Sequence, residues 1–306
     1  MAKLILLSDM HLVAENPKAR LDDLTEIQFD KVRYVFSYVR ENSIDAILQA
    51  GDMVDIKRSW GLLSRLSQFY REEAPCSIYT VRGQHDAYYR DMSNEKTVIG
   101  VLTSAALLHH LGHAVPLAKS VYGYGVDYGQ EPPKPTTRGV NILVIHKQIL
   151  MSKIWKQQND HDYAPEFLRA HSDYDLILCG DAHQRFVFTD GDRHICNTGP
   201  MLRLEVSKQM MRHSPGFFVY DTSRLSLKWV VIPHALASAV LSRQHIEEAQ
   251  ARQMSFKKFI DGVSNVAQTG KSPFLHNLRM LLRQGKASNT VKDLVYAKLE
   301  EIDGDQ

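Results

Sequence analysis

Five short segments each close an apolar, strand-like run with residues able to hold a metal. They are Ser8-Asp9-Met10-His11, Gly51-Asp52-Met53-Val54-Asp55, Gly83-Gln84-His85-Asp86, Ile145-His146 and Gly180-Asp181-Ala182-His183. In open α/β sheets ligands gather beyond the carboxyl ends of strands, so the loops after these runs can meet at one rim. Asp9 and His11 stand two apart, as do Asp181 and His183, so on extended backbone each pair can point one way. Asp52 follows a glycine, which permits close backbone approach, and is the candidate carboxylate to bridge two cations. Gln84, His146, Asp181 and His183 complete a ligand set for two divalent metals. His85 is left as a free imidazole beside them, with Asp86 next to it to set its orientation. Any one of these residues alone reads better as a polar loop residue or a helix cap. The ordered set of five does not.

The elements that must position them alternate. Leu24 to Asn42 has the three-and-four spacing of an amphipathic helix, Ser59 can cap a second helix that Pro75 stops, and Glu95 to Leu111 is a third candidate. Strands alternating with helices predict a sheet covered by helices. Gln130 to Arg138, with three prolines, reads as a loop. After His183 the pattern changes. Phe186 to Phe188 and His194 to Cys196 flank Asp190-Gly191, a hairpin signal, and Gly216 to Tyr220 with Leu225 to Ile232 read as another strand pair. These later strands suggest a second sheet packed on the first. From about Ser242 the chain turns helical and basic, with nine Lys or Arg against three Asp or Glu up to Lys292. Candidate helices there are Ile246 to Asn265, Pro273 to Gln284 and Thr290 to Ile302. The expected architecture is an α/β four-layer sandwich of two mixed sheets with helices outside. It comprises a catalytic domain over residues 1–241 and a helical C-terminal region over 242–306.

Composition sets the bounds. With 306 residues, 44% hydrophobic and 24% charged, the chain is that of a globular protein, and a net charge of +2 is not that of a polycation. Three cysteines, Cys76, Cys179 and Cys196, do not make a disulfide framework and suit a reducing compartment. The chain enters a strand at once and has no stretch of membrane-spanning length, so the expectation is a cytoplasmic protein with no membrane partner. Arg58, Arg185 and Arg203 lie within a few residues of the ligand loops and are candidate phosphate contacts. Trp60 and Trp155 could stack on bases, but packing is the better reading for both.

The ordered segments resemble the calcineurin-like metallophosphoesterase superfamily, whose pattern is Asp-x-His, Gly-Asp-x-x-Asp, Gly-Asn-His-Asp/Glu, a lone His, and Gly-His-x-His. Gln84 stands where that pattern has Asn, and Asp181 where it has the first His of the last motif. Within the superfamily the chain looks most like the SbcD-type DNA repair nucleases. The features that carry this are Ser8-Asp9-Met10-His11-Leu12 at the N-terminus, the Gly-x-His-Asp form at residues 83–86, Asn197-Thr198-Gly199-Pro200, and a strand pair plus helical tail after the last motif. The resemblance implies hydrolysis of phosphodiesters by in-line attack with two divalent cations. One would rest on Asp9, His11, Asp52 and His183, the other on Asp52, Gln84, His146 and Asp181. An anionic ligand set of this kind favours Mn²⁺, with Mg²⁺ or Fe²⁺ as alternatives. His85 would serve the leaving oxygen, Asp86 would hold its ring, and Asp55 would stand behind the ligands. Implied partners are DNA, an SbcC-type ATPase bound by the helical tail, and a possible second copy of the chain. Two other readings stay open: a phosphatase or phosphodiesterase for a small molecule using the same metals, and a scaffold whose site is degraded at Gln84 and Asp181.

Overall fold

The apolar runs and amphipathic segments become β1 (Lys3–Leu7), α1 (Leu24–Asn42), β2 (Ala46–Gln49), α2 (Trp60–Glu73), β3 (Ser77–Thr80), α3 (Val98–Ser104) and β4 (His109–His110). Next come β5 (Val115–Ala118), β6 (Val121–Val126), β7 (Val140–Ile145), β8 (Ile149–Leu150), β9 (Asp162–Tyr163), α4 (Ala164–Ala170) and β10 (Leu176–Cys179). β11 (Phe186–Asp190), β12 (Arg193–Asn197), α5 (Lys208–Arg212), β13 (Gly216–Asp221), β14 (Ser226–Val231), α6 (Ala237–Val240) and α7 (Gln244–Gln268) follow. This computed structural model describes residues 2–55, 59–88, 91, 96–152 and 161–268, and in the C-terminal stretch 280, 282–284, 292–293 and 295–296. The chain divides into two units, Met1–Ser242 and Arg243–Gln306.

Two mixed six-stranded sheets make the first unit, in the orders β14-β13-β1-β2-β3-β4 and β11-β12-β10-β7-β6-β5. β1, β2, β3 and β4 run parallel, as do β6, β7, β10 and β12, while β13 pairs antiparallel with β1 and β14, and β5 and β11 add antiparallel edges to the second sheet. Period-two alternation sorts the side chains into layers. Leu4 and Leu6 of β1, Ile142 and Val144 of β7, and Leu176 and Leu178 of β10 fill the space between the sheets. Ile5 and Leu7 turn the other way, onto α1, α2 and α3. Leu143, Ile145, Ile177 and Cys179 pack on α4. The layers are therefore helix, sheet, sheet, helix. The parallel strands β1, β2 and β3 of one sheet and β7 and β10 of the other are the ones that lead into the ligand loops.

Local chemistry explains most element ends. Asp23 caps α1 by accepting from Thr25 N at 3.0 Å, and Ser43, at φ 52°, closes it in the left-handed region. The Ser59 hydroxyl accepts from Leu62 N at 3.1 Å and caps α2. Two readings need correction. The third helix is shorter than Glu95 to Leu111: Thr97 caps it by accepting from Gly100 N at 3.0 Å, and Ala106, at φ 55°, stands past its end. The strands after His183 do not form a sheet of their own. β11 and β12 join β10, whereas β13 lies antiparallel to β1, with Phe218 opposite Leu6. The second sheet is already founded by β5, β6, β7 and β10. In the second unit, α7 covers the first predicted tail helix. The Pro273 to Gln284 and Thr290 to Ile302 candidates lie mostly outside the described residues. Among those residues no helix is long and apolar enough to cross a membrane.

Candidate metal centre

Strand ends deliver the ligand candidates to one place. Asp9, His11, Asp52 and Asp181 all hold left-handed backbone, at φ 36°, 49°, 51° and 71°. Such conformations are costly for residues other than glycine and concentrate where a loop must aim a side chain. Hydrogen bonds from the loops offset that cost. Asp181 N donates to Asp9 Oδ1 at 2.9 Å, His85 N donates to Asp52 Oδ1 at 2.8 Å, and His11 N donates to Asp52 O at 2.9 Å. Two glycines make the approach possible. A Cβ on Gly83 would land on the Asp52 carboxylate, and Gly51, at φ 82°, lies against the His146 ring.

The other oxygen of each central carboxylate is free of hydrogen bonds although buried: Asp9 Oδ2 and Asp52 Oδ2 have no partner, and neither has His11 Nδ1. Asp52 Oδ2 stands 3.4 Å from His146 Nε2 and 3.8 Å from His11 Nε2, between the two imidazoles. The Nε2 atoms of His11 and His183 are 2.9 Å apart. Two nitrogens each about 2.1 Å from one cation, and at right angles about it, would lie about 3 Å apart. His146 Nδ1 donates to the Ala50 carbonyl at 2.6 Å, which leaves Nε2 as the nitrogen facing the cluster. Three sets of side chains bring ligand atoms close enough to hold an ion: Asp9, His11 and His183; Asp9, Asp52 and His146; and His11, Asp55 and His85. Orphaned carboxylate oxygens at 0% exposure, converging with imidazoles, are the donor set that divalent cations need. The residues present fit such ions. Asp9 and His11 each belong to two of the three sets, and Asp52 to one.

The electrostatics follow from burial and from the mutual proximity of these groups. Burial pushes the Asp9 carboxyl up to about 6, against the pull of His146 and His11. His146 is pushed up to about 10; burial opposes this, and the Asp52 carboxylate beside the ring overcomes it. Burial and the neighbouring His11 ring bring His183 down to about 4. A neutral imidazole at His183 is the form that can donate a lone pair.

Gln84 and Asp181 sit together. Gln84 Nε2 donates to Asp181 Oδ1 at 2.6 Å, while Gln84 Oε1 lies 2.7 Å from His146 Nε2. The two departures from the motif pattern are therefore partners, with the amide pinned between the carboxylate and the imidazole.

The assignment around His85 changes. Asp86 does not hold its ring. That carboxylate is buried and accepts from Gly83 N at 2.9 Å, Met53 N at 3.0 Å and Val54 N at 3.2 Å, so it ties two ligand loops together. Burial pushes it up to about 7, with Asp52 adding to the shift. The partner of His85 is Asp55, whose Oδ1 is 2.6 Å from His85 Nδ1 and 3.7 Å from His11 Nδ1. Adjacency in sequence pointed to Asp86. The spacing of Asp52 and Asp55 was the signal that could have found the right carboxylate. Three residues of the segments that carry the resemblance, given no role by the sequence, support the site. Ser8 Oγ donates to Cys179 O, Thr198 Oγ1 accepts from Ser8 N, and Asn197 Nδ2 donates to Ala182 O, each at 2.8 Å. The Ser8 bonds to Cys179 and Thr198 tie the ends of the two sheets together, and Asn197 holds the loop after β10 to the end of β12.

Of the candidate phosphate contacts, Arg58 lies outside the described residues, as does Trp155. Arg185 is exposed, its guanidinium 4.6 Å from the Trp229 ring centre, and with Lys208 and Arg212 it lines an open hollow reached from His183. Arg203 is no such contact. It is 4% exposed and donates to the carbonyls of His213 and Ala235 at 3.2 and 3.0 Å. Trp60 is 77% exposed at the first turn of α2, against the expectation that it packs.

Comparison with known proteins shows the family. The calcineurin-like phosphoesterase superfamily domain matches residues 2–223. Exonuclease subunit 1 of Enterobacteria phage T4 is 27% identical over 96 residues, a match covering 29% of this chain and 27% of the phage protein. TT1561 of Thermus thermophilus is similar at TM-score 0.46 and 13% identity, over 76% of this chain and 99% of its own. A dimetal phosphatase from Danio rerio is similar at TM-score 0.46 and 12% identity, with the same shares covered. The chain belongs to the calcineurin-like phosphoesterase superfamily.

Proposed function

We propose that this member of the calcineurin-like phosphoesterase superfamily hydrolyses phosphodiester bonds in DNA with divalent metal ions, Mn²⁺ foremost, as the nuclease subunit of a repair or recombination complex. The observation that carries the metal dependence is the pair of buried, unpartnered oxygens Asp9 Oδ2 and Asp52 Oδ2 converging with His11 and His146. Asp9, His11, Asp52, His146 and His183 would hold the ions, with Gln84 and Asp181 closing one side. Divalent cations held there supply Lewis-acid charge to the phosphoryl group and a nucleophile near neutral pH.

The chain's own residues do the rest. Asp55 takes His85 Nδ1, so Nε2 is the nitrogen left to give a proton to the leaving oxygen. Asp86 fixes the relative position of the two loops that carry Asp52 and His85. Arg185, Lys208 and Arg212 offer cations to flanking phosphates in the hollow beside His183, and Trp60 offers a face on which a base can stack. The open, basic character of that hollow favours a polymeric substrate over a small phosphate ester. The short similarity to a phage exonuclease subunit supports the same direction. An SbcC-type ATPase partner, and a cytoplasmic setting suited to three unpaired cysteines, belong to this proposal.

The test is purified protein with Mn²⁺ on linear duplex DNA, nicked DNA and bis-p-nitrophenyl phosphate. DNA cleavage that falls steeply with added salt, beside salt-insensitive hydrolysis of the small diester, is the expected result. Turnover of small phosphate esters with no cleavage of any DNA would refute the nuclease assignment.

A further inference from the structure

Arg203, which has no place at the metal centre, lines a cavity of about 460 Å³ together with Arg20 and Lys31. Lys31 and Arg203 are 7% and 4% exposed. Their hydrogen bonds go to neutral acceptors: Lys31 Nζ donates to Met201 O at 2.8 Å, and Arg203 to the two carbonyls already named. The carboxylate whose field reaches both cations is Asp22, and both its oxygens are held by Arg20, at 2.6 and 2.7 Å. Asp30, the other carboxylate at the cavity, is exposed and bonds Arg33 at 2.9 Å. Two buried cations thus share a cavity without a carboxylate of their own among the described residues. Buried charges are ordinarily matched, because the loss of hydration is not recovered by carbonyl contacts alone. Burial and the two neighbouring guanidinium groups bring the Lys31 ammonium down to about 7, in keeping with an unmatched site.

Apart from His234 at the mouth, the remaining walls are apolar or aromatic, Ile27, Tyr34, Ile232 and Val240 among them. A bare inorganic ion would leave them unused. We propose that this cavity binds a small organic phosphate of about nucleoside monophosphate size, its oxyanion on Lys31 and Arg203 and its body against Tyr34 and the apolar wall. The volume lies in the range of ordinary small-molecule sites, roughly 300 to 1,000 Å³. The site is separate from the metal centre but close to it: Met201, which accepts from Lys31, donates its own N–H to Asp9 O at 3.1 Å. It does not depend on the hydrolase assignment, because it uses no metal ligand.

Calorimetric titration of full-length, EDTA-treated protein with AMP tests it, with inorganic phosphate as a second probe. Wild type is expected to bind one AMP per chain and to bind phosphate at least tenfold more weakly. Lys31→Met and His234→Glu should each lower AMP affinity at least tenfold. The second variant places a carboxylate at an exposed mouth position whose ring lies in the field of Lys31 and Arg203, so it decides the matter should Lys31→Met fail to fold. No saturable AMP binding to wild type, or affinity within twofold of wild type in folded variants, would overturn the site. Equal affinity for phosphate and AMP would overturn the role of the apolar wall.

Discussion

Asp55 is 33% exposed in its side chain, yet it sits between two imidazoles, 2.6 Å from His85 and 3.7 Å from His11. Burial acts against its ionised form, but the neighbouring His11 ring and the hydrogen-bonded His85 ring hold its carboxyl well below the usual range. A carboxylate so placed aims the ring of His85 and leaves one nitrogen for proton transfer. If Asp55 acts through His85, Asp55→Asn should lower turnover of DNA by roughly 10 to 100-fold, and His85→Ala by about 100 to 10,000-fold. The double variant should be no slower than His85→Ala alone, and metal content should be unchanged in all three. Rates and metal analysis of the four proteins check this. Additive losses would separate the two residues, and loss of metal from Asp55→Asn would make Asp55 a ligand. Sequence made the identity of this cluster legible: the Asp-x-His and Gly-Asp-x-x-Asp spacings brought Asp9, His11, Asp52 and Asp55 forward. It did not show that Asp86 turns away to accept three backbone N–H groups, because side-chain direction in a loop is set by the donors around it.

At the scale of elements, helices with capping residues and clear apolar faces were read within a residue or so, as α1 and α2 show. Sheet order was not. β13 and β14 read as a hairpin whichever sheet they join, and their place beside β1 rests on pairings some 215 residues apart in sequence, such as Leu6 with Phe218. The Glu95 to Leu111 segment looked helical by composition, yet Ala106 turns left-handed and the chain goes on into β4. The tail poses the element-scale question that can be tested. α7 carries exposed Met254 and Phe256, at 64% and 59%, in a unit separate by its contacts from Met1–Ser242. A helix with such residues suits docking of a partner helix. A chain ending at residue 241 should therefore retain metal binding and hydrolysis of bis-p-nitrophenyl phosphate within about twofold, while losing association with an SbcC-type ATPase. Pull-down and the small-substrate assay read the two properties separately. Aggregation with loss of small-substrate hydrolysis would show that the tail is part of the catalytic fold.

The whole molecule is built to bring the ends of two sheets together around a nest of charge. Three parallel strands of one sheet and two of the other end at the cluster, and Ser8, bonded to Cys179 and Thr198, ties those ends together. Asp9, Asp52 and Asp86 are all at most 3% exposed, an arrangement that folded protein tolerates when cations are present to match it. Metal should accordingly stabilise the fold as well as enable hydrolysis. The measurement that tests this most directly is calorimetric titration of metal-stripped protein with Mn²⁺, run beside Asp52→Ala. Two Mn²⁺ per chain for wild type, with a rise in melting temperature, and loss of both ions and of DNA cleavage in Asp52→Ala, is the predicted result. Fewer than about one Mn²⁺ per wild-type chain, or an Asp52→Ala variant that still binds two and still cuts DNA, would contradict it.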